Sequence, residues 1–171
     1  MKPCQRFTFL ICFFSTVLFS NLVFGETKLL GAEKKWNAYT TKLNKNKTCF
    51  ITSEPIKTSG KFNQKNRGKP YVFVTNTKGG SNHEVSIKAG FNFKRNKDVI
   101  FDVDGKKTKL FPVDDRAWSE SSKIDRFLVQ SMRRGKILTV TGTSTPGNKI
   151  IDTYSLSVSY THLTLPTTPY V

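Results

Sequence analysis

The sequence predicts a mainly β protein, an antiparallel β-sandwich or partly open barrel with one α-helix inserted between the strands. Short runs rich in Val, Ile, Thr, Phe and Tyr recur along the chain and are separated by turn residues, which is typical of such folds. A single segment has helical periodicity and capping residues. The chain has 171 residues, including 14 Phe, 5 Tyr and 2 Trp, so it is long enough and apolar enough for one domain with a core.

About seven or eight strands follow from the β-prone runs. Tyr71–Thr75 is almost continuously apolar, which predicts a strand covered on both faces. Glu84–Ala89 alternates between polar and apolar residues, and Asp104-Gly105 supplies the positive φ angles of a tight hairpin turn. Asn63–Pro70 is a loop by composition. We expect strands at 36–39, 48–52, 71–75, 84–89, 99–103, 108–113, 137–141 and 150–156.

The helix is predicted at about 122–134. Ser122 serves as the N-cap with Asp125 three residues on, and Gly135 follows as the stop. Arg133 and Arg134 lie where a helix C-terminus favours cations. One face is expected to be apolar and to point to the core, formed by Ile124, Phe127, Leu128 and Met132.

The first 25 residues have the pattern of a signal peptide. Lys2 and Arg6 precede an apolar stretch at 7–24, and no acid occurs before Glu26. We expect cleavage after Gly25 and a periplasmic or secreted location. An uncleaved membrane anchor is the alternative, although Thr, Ser and Asn interrupt the stretch. After cleavage no stable membrane span is expected.

The last 14 residues, 158–171, contain no charged residue. Ten consecutive residues, Val158 to Thr167, read VSYTHLTLPT, a string that resembles the translation of a transposase-type sequencing adapter. A natural Thr/Pro-rich tail is the alternative. We interpret the tail as non-native, which leaves 26–157 as one β-rich domain that is truncated at its C-terminus.

The charge is strongly basic and uneven. The chain has 28 Lys and Arg against 12 Asp and Glu; removal of Lys2 and Arg6 with the signal segment leaves 26 against 12, a net charge of +14. Such a field favours anionic partners. The candidate contacts to an anionic surface are the ten basic residues of the stretch that contains one acid, Glu54: Lys34, Lys35, Lys42, Lys45, Lys47, Lys57, Lys61, Lys65, Arg67 and Lys69.

Aromatic residues occur among these basic ones, a pattern that also suits single-stranded nucleic acid. They are Trp36, Tyr39, Phe50 and Phe62. Positions in the core of the strands explain Trp36 and Phe50 equally well. Because an exported protein does not normally meet nucleic acid, we expect a protein or an anionic envelope component as the partner instead.

Catalytic patterns are sparse, so we expect a protein that is not an enzyme. The sequence contains no phosphate-binding Gly-rich loop, HExxH or nucleophile elbow. The alternative is a periplasmic enzyme that uses His83 with Asp114 or Asp115. Asp102-x-Asp104-Gly105 begins like a calcium loop but lacks the downstream Glu, which favours a hairpin turn. We expect no metal and no cofactor.

Cys49 is the single cysteine after residue 25. An exported protein rarely keeps a lone thiol, so an odd count suggests a half-cystine whose partner is missing from this chain. The alternative is a buried free cysteine that acts as a small apolar side chain.

Several segments match the pattern of one known protein family over most of residues 33–156: Trp36 and the segments 48–51, 71–75, 82–86, 114–118 (DDRAW), 132–135 and 152–156 (DTYSL). By these residues the chain resembles the invasion-associated locus B family of exported bacterial proteins. The resemblance implies an envelope or extracellular location, and it carries over no catalytic residues. Family members usually continue after DTYSL with a Gly-Phe pair, an amphipathic helix and often a cysteine. We therefore predict that resequencing across Leu156 will reveal such a segment.

Overall fold

The computed structural model describes residues 26–43, 46–80 and 82–157. The predicted signal segment, Lys45 and the adapter-like tail lie outside the described residues. Within them the chain forms eleven strands and one helix. These are β1 (Thr27–Glu33), β2 (Trp36–Leu43), β3 (Asn46–Ser53), β4 (Lys57–Gly60), β5 (Tyr71–Thr77), β6 (Glu84–Lys88), β7 (Val99–Val103), β8 (Lys106–Val113), β9 (Arg116–Trp118), α1 (Ser122–Arg134), β10 (Ile137–Thr143) and β11 (Lys149–Ser155).

The strands form one antiparallel sheet in the order β1-β2-β3-β5-β6-β9-β8-β7-β10-β11-β4. The predicted fold class, mainly β and antiparallel with one helix between strands, is confirmed. Each of the eight predicted strands corresponds to an observed one. Three observed strands were not predicted: β1, the polar edge strand β4, and β9, which has only three residues.

Both halves of the sheet contribute to one core. Trp36 and Ile51 from the first half and Phe101, Leu138 and Tyr154 from the second belong to the same apolar cluster. The indole Nε1 of Trp36 donates a hydrogen bond of 2.9 Å to the carbonyl of Ser155, so β2 and β11 meet although they lie far apart in the sheet order. The strands at the two ends, β1 and β4, each pair with one neighbour and not with each other. The sheet is therefore folded over on itself and remains open.

The helix α1 occupies the predicted range, but its cap and its buried face differ from the prediction. Ser121, not Ser122, is the N-cap, and its side chain accepts a hydrogen bond from the Ile124 amide. Val129 joins Leu128 and Met132 in the core, whereas Phe127 is 51% exposed. The helix turns by about 100° per residue, so Phe127 points roughly 150° away from the centre of the stripe that 128, 129 and 132 form.

A hairpin turn and the end of the helix each require particular residues. Asp104 and Gly105 both have positive φ (49° and 92°), which confirms the predicted hairpin between β7 and β8. Gly135 ends α1 with a φ of −84°, so it is not a left-handed cap. A Cβ there would lie 2.4 Å from Val103 Cγ1, and the glycine is needed for close packing.

The strand β5 is covered on one face only, which corrects the prediction of two covered faces. Val72 and Val74 are fully buried, while Tyr71 and Phe73 on the other face are partly exposed. Neighbouring aromatic rings, not a second layer, shield that other face. The described part of the chain contains no helix that is long and apolar enough to cross a membrane.

Candidate functional site

Within the described residues, the predicted lysine contacts lie at several places on the surface and do not form one patch. Lys34 and Lys35 lie in the turn between β1 and β2, and Lys42 and Lys47 are exposed and directly opposed near the far end of the β2–β3 hairpin. About seven residue steps of strand separate these two groups, or about 23 Å. Of the rest, Lys57 lies on the edge strand β4, and Lys61, Lys65 and Lys69 are exposed on or beside the loop after it.

Arg67 is not on that surface. Its guanidinium forms a two-pronged ion pair with the Asp152 carboxylate, with Nη1 3.0 Å from Oδ1, and both side chains are 5% exposed. Nε and Nη2 also donate to the carbonyl of Ala89. The guanidinium lies 5.1 Å from the ring centroid of Phe62 and 5.2 Å from that of Phe91. Arg67 therefore fixes the loop to the core and is unavailable to a partner.

The local backbone explains how Arg67 reaches the interior. The Gly68 amide donates to the Gly90 carbonyl at 2.9 Å, and Gly90 has a φ of 72°. A Cβ on Gly90 would lie 2.0 Å from the Gly68 carbonyl oxygen. The two glycines thus let two chain segments approach closely, and this contact places residue 67 over β11. The sequence offered one clue to this pair: Asp152 takes the inward parity of β11 together with Ile150 and Tyr154, and a buried carboxylate needs a partner.

Cys49 is buried at 6% exposure, on the inward side of β3. Its thiol lies 3.7 Å from Thr40 Oγ1, and within the described residues it is a free cysteine. Burial in the sheet agrees with a small apolar role. The half-cystine interpretation needs a partner outside the described residues and stays a prediction.

His83 and the two acids of the alternative enzyme hypothesis lie at opposite ends of β6. His83 directly precedes this strand, and its amide donates to Asn76 Oδ1 at 2.6 Å. At the other end, the carbonyl of Asp115 accepts from Ala89 at 2.8 Å. Six residue steps along the strand separate His83 from Ala89, or about 20 Å. A direct hydrogen bond between His83 and Asp114 or Asp115 is therefore not formed.

The other acidic residues that the sequence singled out have structural partners. The Asp102 carboxylate accepts from the Gly105 amide at 2.7 Å, and the Asp104 carboxylate accepts from the amides of Lys136 and Ile137. These bonds shape the hairpin and join it to the start of β10. Across residues 26–43, 46–80 and 82–157, no group of three or more His, Cys, Asp and Glu is arranged to hold a metal ion.

A row of aromatic side chains crosses the outward face of the first half of the sheet, and sequence reasoning missed it. Tyr39 stacks on Phe50 at 5.2 Å between ring centroids, and Phe73 lies 6.1 Å from Phe50. Farther along, Phe111 lies 6.1 Å from Trp118. The alternation of β5 could have shown it, because Tyr71 and Phe73 share one parity and Val72 and Val74 the other.

Two shallow cavities lie beside α1. One has a volume of about 260 Å³ and is lined at the helix start by Glu84, Trp118 and Asp125, among others. The second, of about 160 Å³, lies near the helix end between Asp104 and Arg134. Neither brings a cysteine or histidine next to a carboxylate. Their linings are mixed polar and apolar and indicate no particular reaction.

The comparisons with known proteins give a family. Searches of curated proteins and of solved structures return no match. The family model described as "Invasion associated locus B (IalB) protein" matches residues 36–158. This range begins at the tryptophan that joins β2 to β11 and includes the DDRAW and DTYSL segments, which here form β9 and the end of β11. The chain belongs to the invasion associated locus B family.

Proposed function

We propose that the protein is exported and works by binding, without catalysis, an anionic component of the cell envelope. The observation that carries the proposal is the excess of surface cations over acids. After removal of Lys2 and Arg6 the chain has 26 basic against 12 acidic residues, and the buried Arg67–Asp152 pair takes one of each from the surface. Exposed lysines occupy turns, strand edges and loops around the described surface.

A surface of this kind attracts anions from a distance and holds them weakly at each contact. The exposed lysines keep their ammonium groups in water, and ion pairs such as Lys69–Glu54, at 3.7 Å, are themselves exposed. Attraction of this type falls steeply as salt shortens the screening length, from about 10 Å at 0.1 M to about 3 Å at 1 M. Strong salt dependence is therefore the signature of the proposed binding.

Vesicle co-sedimentation at several salt concentrations tests the binding. We expect the full chain to bind vesicles that contain phosphatidylglycerol more tightly than vesicles of phosphatidylcholine alone, and to lose that difference as salt rises. Binding of polyglutamate in place of the vesicles would indicate an acidic protein partner. Failure to bind either anionic probe at low salt, or binding that salt leaves unchanged, would refute the electrostatic proposal.

Export is tested separately by expression in a Gram-negative host followed by cell fractionation. We expect the protein in the periplasmic or culture fraction with Glu26 as its first residue, measured by mass spectrometry. An uncleaved chain in the membrane fraction would support the anchor alternative. Retention in the cytoplasm would contradict export altogether.

A further inference from the structure

We propose that one face of the sheet binds the phosphate headgroups of an anionic lipid bilayer. This headgroup face lies on β5, β6, β9 and β8, and its members are Phe73, Lys88, Phe111, Val113, Arg116 and Trp118. The inference rests on the proposed function for its ligand class, an anionic envelope component, and adds the site and the chemistry.

Two cations are directly opposed at the centre of this face. Lys88 on β6 pairs in register with Arg116 on β9, and both side chains are partly buried. Like charges in directly opposed positions destabilise an antiparallel pair. No carboxylate among the described residues forms an ion pair with either side chain, and the acid on the same face of β6, Glu84, lies at the other end of the strand. A bound anion would relieve this repulsion.

The ring of Phe73 holds Arg116 in place. Its guanidinium lies 5.7 Å from the ring centroid of Phe73, so it reaches across β6, above Ser86, which is only 4% exposed. A ring supports the flat face of a guanidinium and leaves its N–H edge free to donate. That edge, with the Lys88 ammonium beside it, suits the oxygens of a phosphate.

The rim of the face favours a bilayer over a free anion. Val113, in register with Arg116, is 50% exposed, and Phe111, in register with Trp118, is 42% exposed. Exposed apolar side chains beside unneutralised cations match a membrane interface, where phosphates lie next to acyl chains. Trp, Lys and Arg also suit that boundary, since each has an apolar body and a polar end. A small hydrated anion would gain nothing from Phe111 and Val113.

The test uses the two tryptophans of the full chain. Trp36 is fully buried, so quenching by lipids with brominated acyl chains reports Trp118. Vesicles of equal parts phosphatidylglycerol and phosphatidylcholine are compared with vesicles of phosphatidylcholine alone. The second set also measures any uptake by the apolar stretch at 7–24, which is identical in every variant.

The informative variant is Lys88→Glu, because it places a carboxylate opposite Arg116 and so removes the cation pair while favouring the fold. The control, Lys34→Gln with Lys35→Gln in the exposed β1–β2 turn, changes the net charge by the same amount. We expect Lys88→Glu to weaken binding to the anionic vesicles by about tenfold or more and to abolish the quenching. The control should weaken binding by less than about threefold.

Three results would overturn the inference. Equal losses in the variant and the control would mean that only net charge matters, and the proposed function would stand without this site. Binding without quenching of Trp118 would place the lipid elsewhere. Binding of polyglutamate but not of phosphatidylglycerol vesicles would make the occupant an acidic protein surface. A wild-type chain that binds neither probe would instead contradict the proposed function itself.

Discussion

At the scale of single residues, the buried ion pair between Arg67 and Asp152 fixes the loop after β4 to β11. Replacing Asp152 by Ala leaves a guanidinium at 5% exposure without its counter-charge, and Thr58 also loses its partner, since its hydroxyl donates to Asp152 Oδ1 at 2.6 Å. We expect the free energy of unfolding to fall by about 3–5 kcal/mol. Denaturant unfolding measures it.

The matched variants are Arg67→Met and the double variant. Removing both charges of a buried pair destabilises a fold far less than removing one of them. The double variant, Arg67→Met with Asp152→Ala, should therefore lose much less free energy of unfolding than the two single variants lose together. Additive losses would show that the two side chains act independently.

Tyr154 is buried and its hydroxyl has no hydrogen-bond partner among the described residues. Burial, aided by the Asp152 charge, raises the pKa of this phenol well above its usual 10.0. Because the folded-state pKa is raised, the neutral phenol contributes stability that is fully present below pH 10. This stability is lost as the pH rises toward the folded-state pKa.

Replacement by Phe should therefore be neutral or stabilising by about 1 kcal/mol at pH 7, since an unsatisfied hydroxyl is removed. Above pH 10 the wild type should lose stability relative to Tyr154→Phe. Urea unfolding of both proteins at pH 7 and in alkaline buffer measures this difference. A loss in the Phe variant at pH 7 would indicate that the hydroxyl has a partner.

At the scale of elements, Asp125 joins the helix to the sheet. Its carboxylate Oδ1, in the first turn of α1, accepts from the Val85 amide at 2.9 Å and from Ser119 Oγ at 2.7 Å. Asp125→Ala leaves the buried Val85 amide, at the start of β6, without its hydrogen-bond acceptor. We expect the free energy of unfolding to fall by about 1–3 kcal/mol. Lys123→Ala, in the same turn but exposed, should stay within about 0.5 kcal/mol. Similar thermal midpoints for the two variants would argue against this role.

The strands and the helix that could be predicted are those with a recognisable pattern within their own residues. β6 alternates between polar and apolar residues over its five positions, β7 is apolar at four of its five positions, and α1 has caps at both ends. β9 is not predicted, because Arg116-Ala117-Trp118 is too short to show a period. It becomes a strand only by pairing with β6 and β8. The polar strand β4 likewise exists because β11 offers it an edge.

At the scale of the whole molecule, charge was predictable and its arrangement was not. The stretch at 34–69 is rich in basic residues, but its described lysines lie on separate turns and strand edges. Its arginine, Arg67, is buried in an ion pair. The cation pair of the headgroup face joins residues 88 and 116, which are remote in sequence. Strand register created it, and register over such a separation depends on the complete fold.

Closure of the sheet rests on Trp36, which is fully buried and connects β2 to the carbonyl of Ser155 on β11. Trp36→Phe removes this hydrogen bond, leaves the carbonyl unsatisfied and opens a cavity between the two halves of the sheet. We therefore expect the free energy of unfolding to fall by about 2–4 kcal/mol. Trp118→Phe provides the control, because Trp118 lies on the uncovered face of the sheet. This variant should lose less than about 1 kcal/mol of the free energy of unfolding. Guanidinium unfolding followed by circular dichroism compares both on one scale. Equal losses would mean that the halves are held by the core as a whole, and that the bond from Trp36 adds nothing specific to the closure.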